Sequence, residues 1–171
     1  DPKSNYSVSK TAITKLNDRS NGKPLQVMSE ADWDFWIHNG YVIIKNAVQK
    51  SQAKKLADFL WEYEGKDPQN PETWYRKTNP DMEMKELVNT GMVEIYHHQY
   101  LWDNRQTPKV HQAFSDIWGT EKLWVTIDRA NMTMPKKVPG NPDGFIHWDV
   151  DTSLAPLPIG VQGVLSLVRQ D

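Results

Sequence analysis

The stretch GFIHWDVDTS, residues 144–153, gathers His147, Asp149 and Asp151 at a spacing of two, in a chain that holds only five histidines. Its aromatic and β-branched neighbours favour extended backbone, so FIHWDVD is expected to be a strand. Successive side chains in a strand point to opposite faces, which puts His147, Asp149 and Asp151 on one side and Trp148 and Val150 on the other. An imidazole and a carboxylate two positions apart on one face hold a single ion from adjacent corners. Such a nitrogen and oxygen set suits non-haem iron, where two histidines and one carboxylate leave coordination positions open. The alternative is a strand with a hydrogen-bonded histidine and a polar edge.

The totals limit which chemistry can surround that segment. With 171 residues the chain suffices for one domain with a real core. Its 20 Lys and Arg against 22 Asp and Glu give a net charge of -2, so no global field attracts nucleic acid or an anionic membrane surface. The absence of cysteine excludes disulfides, thiolate catalysis and cysteine-ligated zinc, leaving His, Asp and Glu to hold any metal. No apolar run approaches the roughly 20 residues of a spanning helix. The opening DPKSNYSVSK has neither the basic start nor the apolar core of a signal peptide. A soluble, cytoplasmic protein is therefore expected, and the first residue, not being Met, is expected to mark a start that has been trimmed or left out.

Along the chain, residues 1–28 are polar and without sustained period, which predicts a flexible N-terminal arm. SEADWDFWIHNG predicts a helix capped by Ser29 and Asp32, with Trp33, Trp36 and Ile37 inward and Gly40 as the stop. YVIIKNAV follows as a short buried strand, and SQAKKLADFLWEYEG as a helix capped by Ser51, with Ala53, Leu56, Ala57 and Leu60 as its apolar stripe. After a Pro-rich loop, DMEMKELVNTG is expected as a short helix and MVEIYHHQY as a strand. Thr107 and Pro108 start a helix that buries Val110, Phe114, Ile117 and Trp118 and ends at Gly119. The rest is β-like: LWVTIDRANMTM, FIHWDVD and VQGVLSLV, separated by Pro- and Gly-rich turns. Helices early and strands late predict an α+β domain with an antiparallel sheet or barrel and helices on one side.

This order, with the HWD motif and the apolar strand that follows it, resembles the phytanoyl-CoA dioxygenase family of iron(II)- and 2-oxoglutarate-dependent oxygenases across residues 29–168. The resemblance implies a double-stranded β-helix, a jelly-roll or cupin-like barrel flanked by N-terminal helices, with residues 29–171 as the N-terminal part of a single domain. It implies His147 and Asp149 as two of three iron ligands, 2-oxoglutarate and O2 as cosubstrates, and hydroxylation of a small molecule. With a carboxylate at 149, the resemblance favours hydroxylation over halogenation. After Asp149 the sequence holds no histidine, so the resemblance implies that the family's second histidine, and the Arg or Lys after it that pairs with 2-oxoglutarate, lie beyond Asp171.

Two residues are expected near the cosubstrate. Asn131 lies just ahead of the metal strand, in the region where family members contact 2-oxoglutarate. Gln162 is an amide in an otherwise apolar run and needs a partner when buried. Asp151 falls outside the motif and is expected to stabilise a turn with Thr152 and Ser153 or to support the ligands. Arg129, on the same strand face as Asn131, is expected in an outward polar row. His97 and His98, adjacent on a strand, face opposite ways and are read as structural, as is His38 at a helix end, whereas His111 is expected to be solvated. The geometry allows His98 as a replacement for the missing ligand, a role without precedent in the family. The competing function is a non-catalytic jelly-roll module that binds a small molecule or partner and keeps the motif as a relic; a metal hydrolase using His147 and Asp149 is the third.

Overall fold

The structure, a computed structural model, describes residues 16–76, 91–135, 147–155 and 157–169. Its helices are α1 (Glu30–Asn39), α2 (Lys50–Tyr63), α3 (Gln99–Arg105) and α4 (Pro108–Trp118), and its strands are β1 (Met92–Val93) and β2 (Ala130–Asn131). Two compact units divide these elements. One draws its described residues from 16–44, 111–123 and 148–162, the other from 45–76, 91–110, 124–135, His147 and 163–169.

In the first unit, α1 begins where the sequence places it. The Ser29 hydroxyl accepts the Asp32 amide at 3.1 Å while the Asp32 carboxylate accepts the Ser29 amide at 2.9 Å, closing a reciprocal capping box. Gly40, at φ 73°, takes the left-handed turn that ends the helix and donates its amide to the Trp36 carbonyl at 2.8 Å. Arg19 grips Glu30 with two hydrogen bonds of 2.6 and 3.0 Å and lies over the Trp33 ring. That guanidinium holds the Glu30 carboxyl below the usual carboxylate range. Ser29→Ala removes one arm of the box and is expected to cost about 1 kcal/mol in denaturant melts, at the middle of the range for lost N-caps.

The core of this unit is Met28, Trp33 and Ile117, with Leu16, Leu25, Trp36, Val42, Ile44 and Val161 packed against it. Residues 16–28, which the sequence pattern assigns to an arm, form no helix or strand, yet they are anchored through Asp116 on α4. Its carboxylate accepts the backbone amides of Gln26, Val27 and Met28 at 2.7, 2.9 and 3.0 Å. The Asn21 side chain adds a bond to the Gly119 carbonyl at 2.8 Å. Gly119 itself is at φ 64°, and a Cβ there would stand 2.5 Å from the Asp18 carbonyl oxygen.

The second unit is centred on Leu56, Leu60, Val93 and Leu101. α2 starts two residues earlier than the Ser51 cap predicts, after Gln49, which makes no side-chain cap bond. It turns Ala53, Leu56 and Leu60 inward, an i, i+3, i+7 stripe over two turns. β1 and β2 pair antiparallel, Met92 opposite Asn131 and Val93 opposite Ala130. The expected strand over 92–100 stops at Val93 because His98 caps a helix. Its Nδ1 accepts the Tyr100 amide at 3.2 Å, and α3 then buries Leu101 in the core.

The double-stranded β-helix expected from the resemblance is not the architecture. Among the described residues the only sheet is the two-stranded β1–β2 pair, and the structure is otherwise helix and coil. YVIIKNAV and the described parts of LWVTIDRANMTM, FIHWDVD and VQGVLSLV lack ladders, apart from Ala130–Asn131. The physical reason is visible in their burial. Trp124 is 96% exposed and Val164 95%, so the alternation of apolar residues there has no second layer to pack on. A strand needs a partner that local pattern does not supply. The helix expected over 81–91 falls largely outside the described residues.

Candidate functional site

Residues 147–155 form an exposed, turn-rich segment rather than a strand. The shared strand face that would align His147 with Asp149 is therefore absent, because the backbone bends at Asp149 and Val150. Order comes instead from Asp151. Its carboxylate accepts the Ser153 hydroxyl at 2.6 Å and the Ser153 amide at 2.9 Å, and its carbonyl accepts the Leu154 amide at 3.3 Å. The two Ser153 bonds, the hydroxyl first, hold the Asp151 carboxyl below the usual carboxylate range. Asp151 is thus a turn-forming residue, bonded to Ser153 as expected from its place ahead of Thr152 and Ser153.

Gln162 donates its side-chain amide to Oδ2 of Asp149, thirteen residues earlier in the chain. Both belong to the first unit, and the backbone next to Gln162 is fixed by Val161, which packs against the Met28, Trp33 and Ile117 core. Gln162 is exposed and lies outside any strand, so the need for a partner expected from burial does not arise, and this partner follows from tertiary placement. His147 and Asn131 fall in the second unit. Asn131 sits on β2 opposite Met92, and its side-chain oxygen accepts the Thr133 hydroxyl.

The other histidines are committed locally. His98 stacks on Phe59 with ring centroids 3.8 Å apart and planes 8° from parallel, and caps α3 through Nδ1. The Nδ1 of His97 accepts the indole N–H of Trp102 at 2.9 Å. His38 Nδ1 meets the Asp34 carbonyl at 2.7 Å, and His111 Nε2 meets the Glu121 carbonyl at 3.0 Å, so His111 is half-buried and bonded rather than solvated. Arg129 donates to the Tyr96 hydroxyl at 3.2 Å and lies over its ring, instead of joining an outward polar row. Arg105 donates to the carbonyls of Tyr96 and Asp128, and its burial lowers the guanidinium pKa.

As donors, the His147 imidazole and the Asp149 carboxylate are of the kind a first-row divalent metal accepts. Both are exposed. Among the described residues, no group of three His, Cys, Asp or Glu converges as a metal cage would require. None of the described helices is long and apolar enough to cross a membrane.

Comparison with known proteins adds one distant relative. The chain is 27% identical over 141 residues to Ava biosynthesis cluster protein O of Aspergillus versicolor, an alignment that covers 79% of this chain and 44% of that protein. The chain thus spans less than half the length of the relative it matches. No family model matches the chain, and no solved structure matches it.

Proposed function

We propose that this chain contributes to an iron(II)- and 2-oxoglutarate-dependent dioxygenase that hydroxylates a small molecule, with His147 and Asp149 as two of its metal ligands. The observation that carries this reading is the HWD segment itself: an imidazole and a carboxylate two positions apart on exposed backbone, the carboxylate already held by an amide donor. In kind, these donors fit iron(II). In number they are two, so the reading requires a third donor from outside the described residues. Bound iron would supply the redox centre at which O2 is activated and 2-oxoglutarate decarboxylated. The chain's own part is to present one nitrogen and one oxygen donor and to keep the carboxylate oriented. Asn131 is retained as a candidate cosubstrate contact.

The name of the Aspergillus relative assigns that protein to a biosynthesis cluster, which accords with a small-molecule substrate here. A net charge of -2 and the lack of cysteine accord with a cytoplasmic setting without nucleic-acid or membrane partners.

The test is succinate formation from 2-oxoglutarate by the native polypeptide, supplied with iron(II) and ascorbate, against its Asp149→Ala variant. Wild-type turnover that falls to background in the variant supports the oxygenase. Equal succinate formation by both would remove Asp149 from the site, and no turnover in either, with a small molecule still bound, would favour the non-catalytic alternative.

A further inference from the structure

We infer that Gln162 is a positioning residue for the Asp149 carboxylate, fixing its orientation for a divalent metal rather than touching the cosubstrate. This rests on the reading of His147 and Asp149 as metal ligands. The direct observation is the hydrogen bond from the Gln162 side-chain nitrogen to Asp149 Oδ2. An exposed aspartate samples several rotamers, and a metal ligand must give up that freedom when the ion binds. An amide donor on one carboxylate oxygen removes much of it beforehand and fixes the plane of the carboxylate. Because the amide is neutral, it does so without adding a charge that would compete for the ion.

The clamp has a firm base. Val161, immediately before Gln162, packs into the Met28, Trp33 and Ile117 core, so the backbone that carries the amide is anchored although the amide is exposed. On the other side, the Asp151 turn, closed through Ser153 and Leu154, begins two residues after Asp149. Asp149 is therefore bracketed by a turn in its own segment and by a donor from the core-anchored one. Groups that hydrogen-bond a ligating carboxylate typically change metal affinity about 10–100-fold when removed.

The experiment measures Mn(II) binding to the native polypeptide, with Mn(II) standing in for iron(II), and the visible spectrum of the Co(II)-loaded protein, both without 2-oxoglutarate. Gln162→Met keeps the side-chain length and deletes the donor; Gln162→Ala deletes both, and Asp149→Ala is the ligand control. Far-UV circular dichroism checks that each variant is folded. The expected result is about tenfold or greater loss of Mn(II) affinity and an altered Co(II) spectrum in both Gln162 variants, with a larger loss in Asp149→Ala. Wild-type affinity and spectrum in Gln162→Met, beside a lost site in Asp149→Ala, would overturn the positioning role and leave the ligand reading standing. A separate 2-oxoglutarate titration of the Mn(II)-loaded protein overturns the positioning role likewise if Gln162→Met weakens only that binding, which would make Gln162 a cosubstrate contact. No Mn(II) binding by the wild-type native polypeptide, or undiminished binding in Asp149→Ala, would remove the ligand reading itself.

Discussion

Asp116→Ala is expected to destabilise the chain by about 3 kcal/mol, read as a shift in the urea midpoint at unchanged slope. Asp116 is only 6% exposed, and its two oxygens accept three consecutive backbone amides, those of Gln26, Val27 and Met28. Hydrogen bonds to a charged group contribute roughly 1.5–3 kcal/mol each, and three would sum to more than the figure given. The sum is an overestimate because burying the carboxylate itself costs solvation, which the alanine variant recovers. What alanine cannot recover is the pairing of the amides, of which that of Met28 lies in the unit's core. Asp116→Asn retains one acceptor oxygen but turns an N–H toward the amides, so it should fall between wild type and alanine. A midpoint within about 0.5 kcal/mol of wild type, the usual range for surface changes, would mean that the clasp does not hold residues 26–28 to α4 in solution.

What the sequence makes legible follows the range of the interactions. α1 is legible because Ser29, Asp32 and Gly40 act on amides within one turn, and α4 because Thr107, Pro108 and Gly119 mark its ends. α3 is not, since QYLWDNR follows a β-like run and its start depends on the His98 ring accepting the Tyr100 amide. The barrel strands rest on alternation alone, and alternation licenses an extended backbone without naming a partner. Trp124 and Val164 show the result, apolar side chains at the expected spacing with nothing over them. At the candidate site the donor types are legible in HWD, but their mutual geometry is not. Asp116 gives no local signal at all, because a carboxylate beside Ile117 on an amphipathic helix reads as a solvated residue. Its partners lie about 90 positions earlier in the chain.

Leu60→Ala is expected to cost about 3–4 kcal/mol, whereas Ile43→Ala should cost under about 0.5 kcal/mol, although each removes a branched aliphatic side chain of the same size. Leu60 is 2% exposed and meets Leu56, Val93 and Leu101 at the centre of the second unit. Truncating it forfeits the transfer free energy of three carbons, and adds a cavity term because α2, α3 and β1 all contribute walls that cannot close around the gap independently. Ile43 is 72% exposed, so little apolar surface returns to water when it is shortened and no cavity forms. The pair of variants also bears on the segment YVIIKNAV, whose apolar run predicts a buried strand. In such a strand Ile43 would be as costly to truncate as Leu60. Denaturant melts of the two variants therefore test the burial pattern directly: a loss of about 2 kcal/mol or more in Ile43→Ala would restore the buried strand, and a near-neutral Leu60→Ala would mean that the second unit is not organised around α2.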